Sequence, residues 1–198
     1  ITFFAILICG LLSAQTSFEK EMQNALQTWN QGKQVEAVAQ LERIALVEKT
    51  NWLPSYYIAL INIMQAFREQ DKTKMLSLIE AAQKAQDVCN DLAIDNPEVL
   101  VMQSMIHTAS IVHDPMINGQ KLSGDVIYIL NKAYKIAPEN PRVVFQKASF
   151  EIGMAQYFGQ DTKPMCTQIE KAIQLFATFK PETALHPSWG LDLSLIHI

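Results

Sequence analysis

The chain has 198 residues, 49% hydrophobic and 18% charged, with only seven glycines and a formal charge of −4. That length bounds it to one compact domain or a short repeat stack, and that composition excludes an intrinsically disordered protein. Its 16 basic residues are scattered among 20 acidic ones, so no basic stripe is available to neutralise phosphates, and nucleic acid is excluded as a partner.

Residues 1–12 form an uncharged apolar run that gives way to Ser13-Ala14-Gln15 and then to charged sequence. This is the pattern of a secretory signal peptide entered part-way, too short to span a bilayer. Residues 1–15 are therefore expected to be a truncated signal peptide cleaved near Ala14. The mature chain is expected to be exported, periplasmic or extracellular, with no membrane span.

From there apolar residues recur at intervals of three and four, which predicts helices joined by short turns. Thr16-x-x-Glu19 reads as a capping box for a first helix with Phe18, Met22, Ala25, Leu26 and Trp29 on one face, ended by Gly32. A second helix is expected over 35–48. A third, over 54–67, starts at Pro54, carries no charge and must be largely buried. The fourth, over 73–94, spaces Met75, Leu78, Ala82, Ala85, Cys89 and Leu92 as a packing seam. Asn96-Pro97 opens a fifth helix ending at His113, and the turn formers Asp114-Pro115, Asn118-Gly119 and Ser123-Gly124 predict a loop up to a sixth helix at 125–137. Asn140-Pro141 opens a seventh that stops at Gly159. In the turn 159–164, Asp161 or Thr162 is expected to cap an eighth, over 165–179, with Cys166, Ile169, Ile173 and Phe176 inward.

The last six residues, Leu193-Ser-Leu-Ile-His-Ile198, resemble the translation of a transposon mosaic-end sequencing adaptor. The natural domain is thus expected to cover 16–192 and to be truncated there, with 193–198 an artefact. Cys9 falls in the signal segment, leaving Cys89 and Cys166, either as separate buried thiols or as a disulfide permitted by an oxidising compartment.

Repeats organise the chain. Leu92-Ala-Ile-Asp-Asn-Pro-Glu-Val99 and Ile136-Ala-Pro-Glu-Asn-Pro-Arg-Val143 align at a shift of 44 residues, and Asn51 lies 45 before Asn96. Eight helices thus group into four hairpins, each covering the apolar face of the next. Gly32, Ala37, Leu41 and Ile44 in the first hairpin, and Val126, Leu130, Ala133 and Pro138 in the third, resemble the signature positions of the tetratricopeptide family. The repeat is longer than the family's 34 residues. Pro141-Arg-Val-Val144 and Tyr157-Phe-Gly-Gln-Asp-Thr162 further resemble exported tetratricopeptide-like proteins of Bacteroidota. The resemblance implies an all-α, tetratricopeptide-like α-solenoid of about four helical hairpins whose first helices line a groove for extended peptides.

No catalytic motif stands out. His107, His113 and Asp114 carry metal-ligating types, but six residues of helix turn the two rings apart by about 240°. Met102, Met105 and His107 offer soft copper ligands, yet both methionines fall on a core stripe. Cys166 shares a stripe with Ile169 and Ile173, against a nucleophilic role. Neither a nucleophile elbow nor a phosphate-binding glycine loop occurs. The chain is read as a binding protein and not an enzyme, with no cofactor and no metal site.

The candidate binding surface is the polar, weakly charged face of the first helix in each hairpin: Tyr56, Tyr57 and Asn62, then Gln103, His107 and Ser110, then Gln146. Amides, hydroxyls and phenols suit hydrogen bonding to an extended chain or a sugar. The leading expectation is a scaffold that docks an unknown protein or peptide partner. The alternative is a periplasmic small-molecule or glycan-binding protein using the same surface. A pocket enclosed on several sides favours the second, and an open groove several hairpins long the first.

Overall fold

The structure, a computed structural model, describes residues 17–195. The segment expected to be a signal peptide, the Thr16 cap and residues 196–198 lie outside it. Among the described residues there is no strand, and the fold is all-α. Helix α1 covers residues 17–30, followed by α2 (Gln34–Val47), α3 (Leu53–Ala66), α4 (Lys72–Leu92), α5 (Pro97–His113), α6 (Pro115–Ile136), α7 (Pro141–Tyr157), α8 (Lys163–Thr178) and a short α9 (Leu191–Leu195).

Hairpin partners α3/α4, α5/α6 and α7/α8 pack on each other, and α3 touches α5 as α5 touches α7. Contact between every second helix is what a stack of hairpins produces, because the first helix of each unit lies against the first helix of the next. The same device starts three of these helices. Asn51, Asn96 and Asn140 each accept, through Oδ1, the backbone N–H two residues ahead, on Leu53, Glu98 and Arg142 at 3.0, 2.9 and 2.9 Å. Each cap satisfies a donor that the helix leaves unpaired, and a proline follows in the first turn where no N–H is needed.

Burial follows the stripes. Met22 and Ala25 from α1, Ala37 and Leu41 from α2, and Met75, Ala82 and Cys89 from α4 close over α3, whose residues Leu53 to Ile63 are all buried. This accounts for the absence of charge along α3: with helices on every side, no face of it meets water. At about 25 cal/mol per Å² of apolar area removed from water, these shared faces supply the main stabilisation of the stack. A second core cluster joins α7 and α8 through Val144, Phe145, Ala148, Ile152, Ile169 and Ala172.

Two expectations are corrected. The loop predicted between the fifth and sixth helices is helical, since α6 begins at Pro115. Only Asp114-Pro115 breaks the chain there: Asp114 accepts from the Ile117 N–H at 3.1 Å, and Asn118 Nδ2 donates back to the Ser110 carbonyl at 2.7 Å, strapping the corner. Asn118, Gly119, Ser123 and Gly124 continue as helix, because packing along α5 outweighs a propensity cost of about 1 kcal/mol per glycine. Cys166 is exposed rather than inward, and both it and the buried Cys89 are free thiols. Asp161, not Thr162, caps α8, accepting from the Lys163 N–H at 3.0 Å.

Residues 181–190 form an irregular strap that returns across the first turns of α3 and α7. Tyr57 Oη donates to the Leu185 carbonyl at 2.9 Å, Trp189 Nε1 donates to Tyr56 Oη at 2.9 Å, and Arg142 Nη1 donates to the Trp189 carbonyl at 3.3 Å. Gly190, at φ +114°, ends the strap where any Cβ would lie 2.8 Å from the Phe176 ring.

Candidate functional site: an apolar cleft beside the strap

The sequence-predicted surface divides into three parts. Tyr56, Tyr57 and Asn62 are not groove residues but core: the two phenols are 0% and 5% exposed, and Asn62 is 8% exposed with its amide given to the Ile58 carbonyl. Their face of α3 does point where a groove would run, but the strap occupies it. Burial, with the Glu98 carboxylate adding in the same direction, pushes the Tyr56 hydroxyl well above the usual tyrosine range. Burial likewise pushes Tyr57 up to about 12. Both therefore stay neutral, Tyr57 as a donor to the strap and Tyr56 as an acceptor from it.

Gln103 and His107 form a polar joint between α4 and α5. Gln103 exchanges hydrogen bonds with Gln83 at 2.8 and 3.2 Å, and its Nε2 meets His107 Nε2 at 2.9 Å. An amide N–H can only donate, so His107 accepts at Nε2 and holds its proton at Nδ1. Burial depresses its pKa below the ordinary histidine value, against a weaker opposing pull from Asp125. Ser110 donates to the Ile106 carbonyl at 3.1 Å. Gln83, Gln103 and His107 thus bind one another across the α4–α5 contact.

Gln146 faces elsewhere, into a cleft of about 810 Å³ bounded by the end of α3, the second half of α5, the first half of α6, most of α7 and Leu193 of α9. Met105, Thr108 and Val112 come from α5, and Gln146, Phe150, Met154 and Tyr157 from α7, at spacings of three or four residues that keep each set on one side of its helix. Met64 and Phe67 close one end. Met116, Tyr157 and Phe158 form the rim, 84%, 74% and 61% exposed, the last two packed edge to face at 5.1 Å.

Two helix-interior glycines line the cleft, Gly119 on α6 and Gly153 on α7, and a Cβ built on either meets nothing within 4 Å. Each weakens its helix by roughly 1 kcal/mol relative to alanine. The space they leave is thus part of the cleft's volume rather than room for a neighbouring helix.

The lining contains no histidine or cysteine; it carries the thioethers of Met64, Met105, Met116 and Met154, the Tyr157 phenol and, as its only charged side chain among the described residues, Arg68. No cluster of three histidine, cysteine, aspartate or glutamate side chains able to hold a metal ion occurs among the described residues. Nor is any described helix long and apolar enough to cross a membrane.

The sequence places Met105 on a core stripe and Tyr157-Phe158 just before the turn at 159–164. Met105 is indeed buried, at 3% exposure, yet it lines the cleft, and the aromatic pair stands at its mouth. Periodicity marks a side chain as inward but does not say whether packing or empty space lies beyond it.

Fold and cleft together define a stack of helical hairpins whose first helices enclose one large apolar cavity at one end and hold a strap at the other. No protein-family model and no curated protein sequence matches the chain. Among solved structures it is similar to the HusA haemophore from Porphyromonas gingivalis, with a TM-score of 0.78 and 23% identity over 91% of this chain and 90% of that one. The likeness establishes a shared fold along nearly the whole length.

Proposed function

We propose that this chain is an exported carrier that binds haem, or a closely related tetrapyrrole, in the α3–α5–α6–α7 cleft. The observation that carries the reading is the cleft itself. A volume of about 810 Å³ lies within the range of small-molecule sites, and the walls are mostly aliphatic, thioether and aromatic, as a flat apolar ring requires. The likeness to a haemophore supplies the ligand class. Methionine and tyrosine are among the side chains that ligate haem iron, so the residues present fit the metal as well as the ring.

The same observations weigh against the leading expectation of a peptide-docking scaffold. An extended peptide needs a groove running past several hairpins, and the strap fills the part of that face formed by the first turns of α3 and α7. A glycan is disfavoured by the apolar lining, since sugar hydroxyls would lose water without regaining partners. Binding rather than catalysis is part of this reading. So is an extracytoplasmic location, which rests on the apolar run at residues 1–12 and the haemophore likeness. Assignment to the tetratricopeptide type also belongs to it, supported by the stacked hairpins and the repeated asparagine caps.

The test is a titration of the purified chain with haemin, followed by the shift and growth of the Soret band, beside the cleft-filling variant Gly153→Phe. Saturable binding that Gly153→Phe weakens at least tenfold supports the proposal. No saturable change, or equal binding by the filled variant, contradicts it.

A further inference from the structure

Arg68 follows the C-terminal turn of α3 and borders the cleft beside Met64 and Phe67. Two carboxylates lie close to it along the chain, and both are engaged elsewhere. Glu69 Oε1 accepts the backbone N–H groups of Gln70 and Asp71, each at 2.9 Å. Asp71 Oδ1 caps α4, accepting from Thr73 and Lys74 at 2.9 and 3.0 Å. The Arg68 guanidinium makes no ion pair or side-chain hydrogen bond among the described residues. An exposed, uncommitted fork of donors therefore stands at the edge of an otherwise uncharged, apolar cavity.

We propose, resting on the tetrapyrrole reading above, that Arg68 is the specificity-determining anchor of the cleft and pairs with a carboxylate on the ligand's edge. The apolar walls take the ring, and the acidic edge stays at the mouth, where the guanidinium receives it bidentately. The low-dielectric wall on one side strengthens the pair relative to one fully in water, and the open side keeps the carboxylate partly hydrated. The cleft thus selects an apolar body with an acidic margin over one whose margin is neutral. It also fixes which edge of the ligand faces out.

The experiment compares haemin with haemin dimethyl ester, which keeps the ring and iron but loses both carboxylates, on the full chain and on Arg68→Gln and Arg68→Lys. Wild type is expected to bind haemin about five-fold more tightly than the ester, with the difference shrinking as salt rises. Arg68→Gln should bind the two alike, at the affinity of wild type for the ester. Arg68→Lys should restore part of the preference. Unchanged melting temperatures would show that the fold is intact. Equal binding of both ligands by wild type, or a preference that survives in Arg68→Gln, overturns the anchor while leaving the cleft assignment standing. Failure of wild type to bind either ligand overturns both.

Discussion

Glu98 and Arg142 stand at equivalent positions of successive repeats, 44 residues apart, and meet as a buried two-pronged ion pair, Nε to Oε2 and Nη2 to Oε1, both at 2.7 Å. Each follows the Asn-Pro that opens its helix, so the pair exists only because α5 and α7 lie side by side in register. Asn140 adds a third hydrogen bond to Glu98 at 2.6 Å, and the guanidinium lies 4.5 Å from the Phe179 ring centroid. Opposite charges at one repeat position thus join neighbouring units and, through the Trp189 carbonyl, the strap.

Removing one partner leaves the other charge buried and unmatched. Arg142→Met should therefore cost about 3–5 kcal/mol in urea unfolding, whereas Glu98→Met together with Arg142→Met should recover most of that loss. A double variant no more stable than the single one would show that the guanidinium's other contacts, to Trp189 and Phe179, outweigh the pair.

At Gly153 the two substitutions act in opposite directions. Alanine should stabilise α7 by about 0.5–1 kcal/mol, since the added methyl meets open space and the helix gains propensity. Phenylalanine should preserve the helical circular dichroism and fill the cleft. Destabilisation by alanine would mean that the space is occupied in solution by protein.

The strap hangs on the two tyrosines. Tyr57→Phe and Tyr56→Phe each remove one hydrogen bond, to Leu185 and from Trp189 respectively, for an expected loss of about 1–2 kcal/mol each. Loosening should appear as a red shift in tryptophan emission and as faster proteolysis within 181–190. Gly190→Ala should loosen the same segment, because its backbone and the Phe176 ring both oppose a Cβ.

Alkali should unfold the protein. Tyr56, Tyr57 and the Cys89 thiol are all held above their ordinary values by burial, Tyr57 and Cys89 to about 12. Between the unfolded values, near 9 to 10, and the folded ones, the native state holds more protons than the unfolded one, so stability falls as pH rises through that window. Ionisation of the two tyrosines, read by ultraviolet absorbance, should coincide with loss of helicity above about pH 10. At neutral pH, a thiol reagent should modify exposed Cys166 promptly and Cys89 only after unfolding.

Much of this architecture was legible in the residues. Local causes, spacing at three and four and Asn-Pro caps, set the starts of α5 and α7, and the 44-residue shift made Glu98 and Arg142 equivalent positions of successive units. The start of α6 was not legible, because Asn118-Gly119 and Ser123-Gly124 carry turn chemistry that only the surface of α5 overrides. Of the candidate site, Gln146 lines an apolar cleft instead of a polar groove, and Tyr56, Tyr57 and Asn62 lie in the core. The uncharged run of α3 told of burial, but the partners of the two phenols lie some 130 residues away, and no pattern local to α3 names them. The cleft itself is written partly in side chains that are missing, at Gly119 and Gly153, which periodicity does not count.

Occupancy of the α3–α5–α6–α7 cleft by a tetrapyrrole can be read residue by residue from amide chemical shifts in the presence of gallium protoporphyrin IX, a diamagnetic analogue of haem. Perturbations are expected to concentrate at 64–68, 105–123 and 145–158, with the strap at 181–190 and the Gln83–Gln103–His107 joint unmoved. Perturbations centred on the strap or that joint, or none at saturating ligand, would contradict that occupancy.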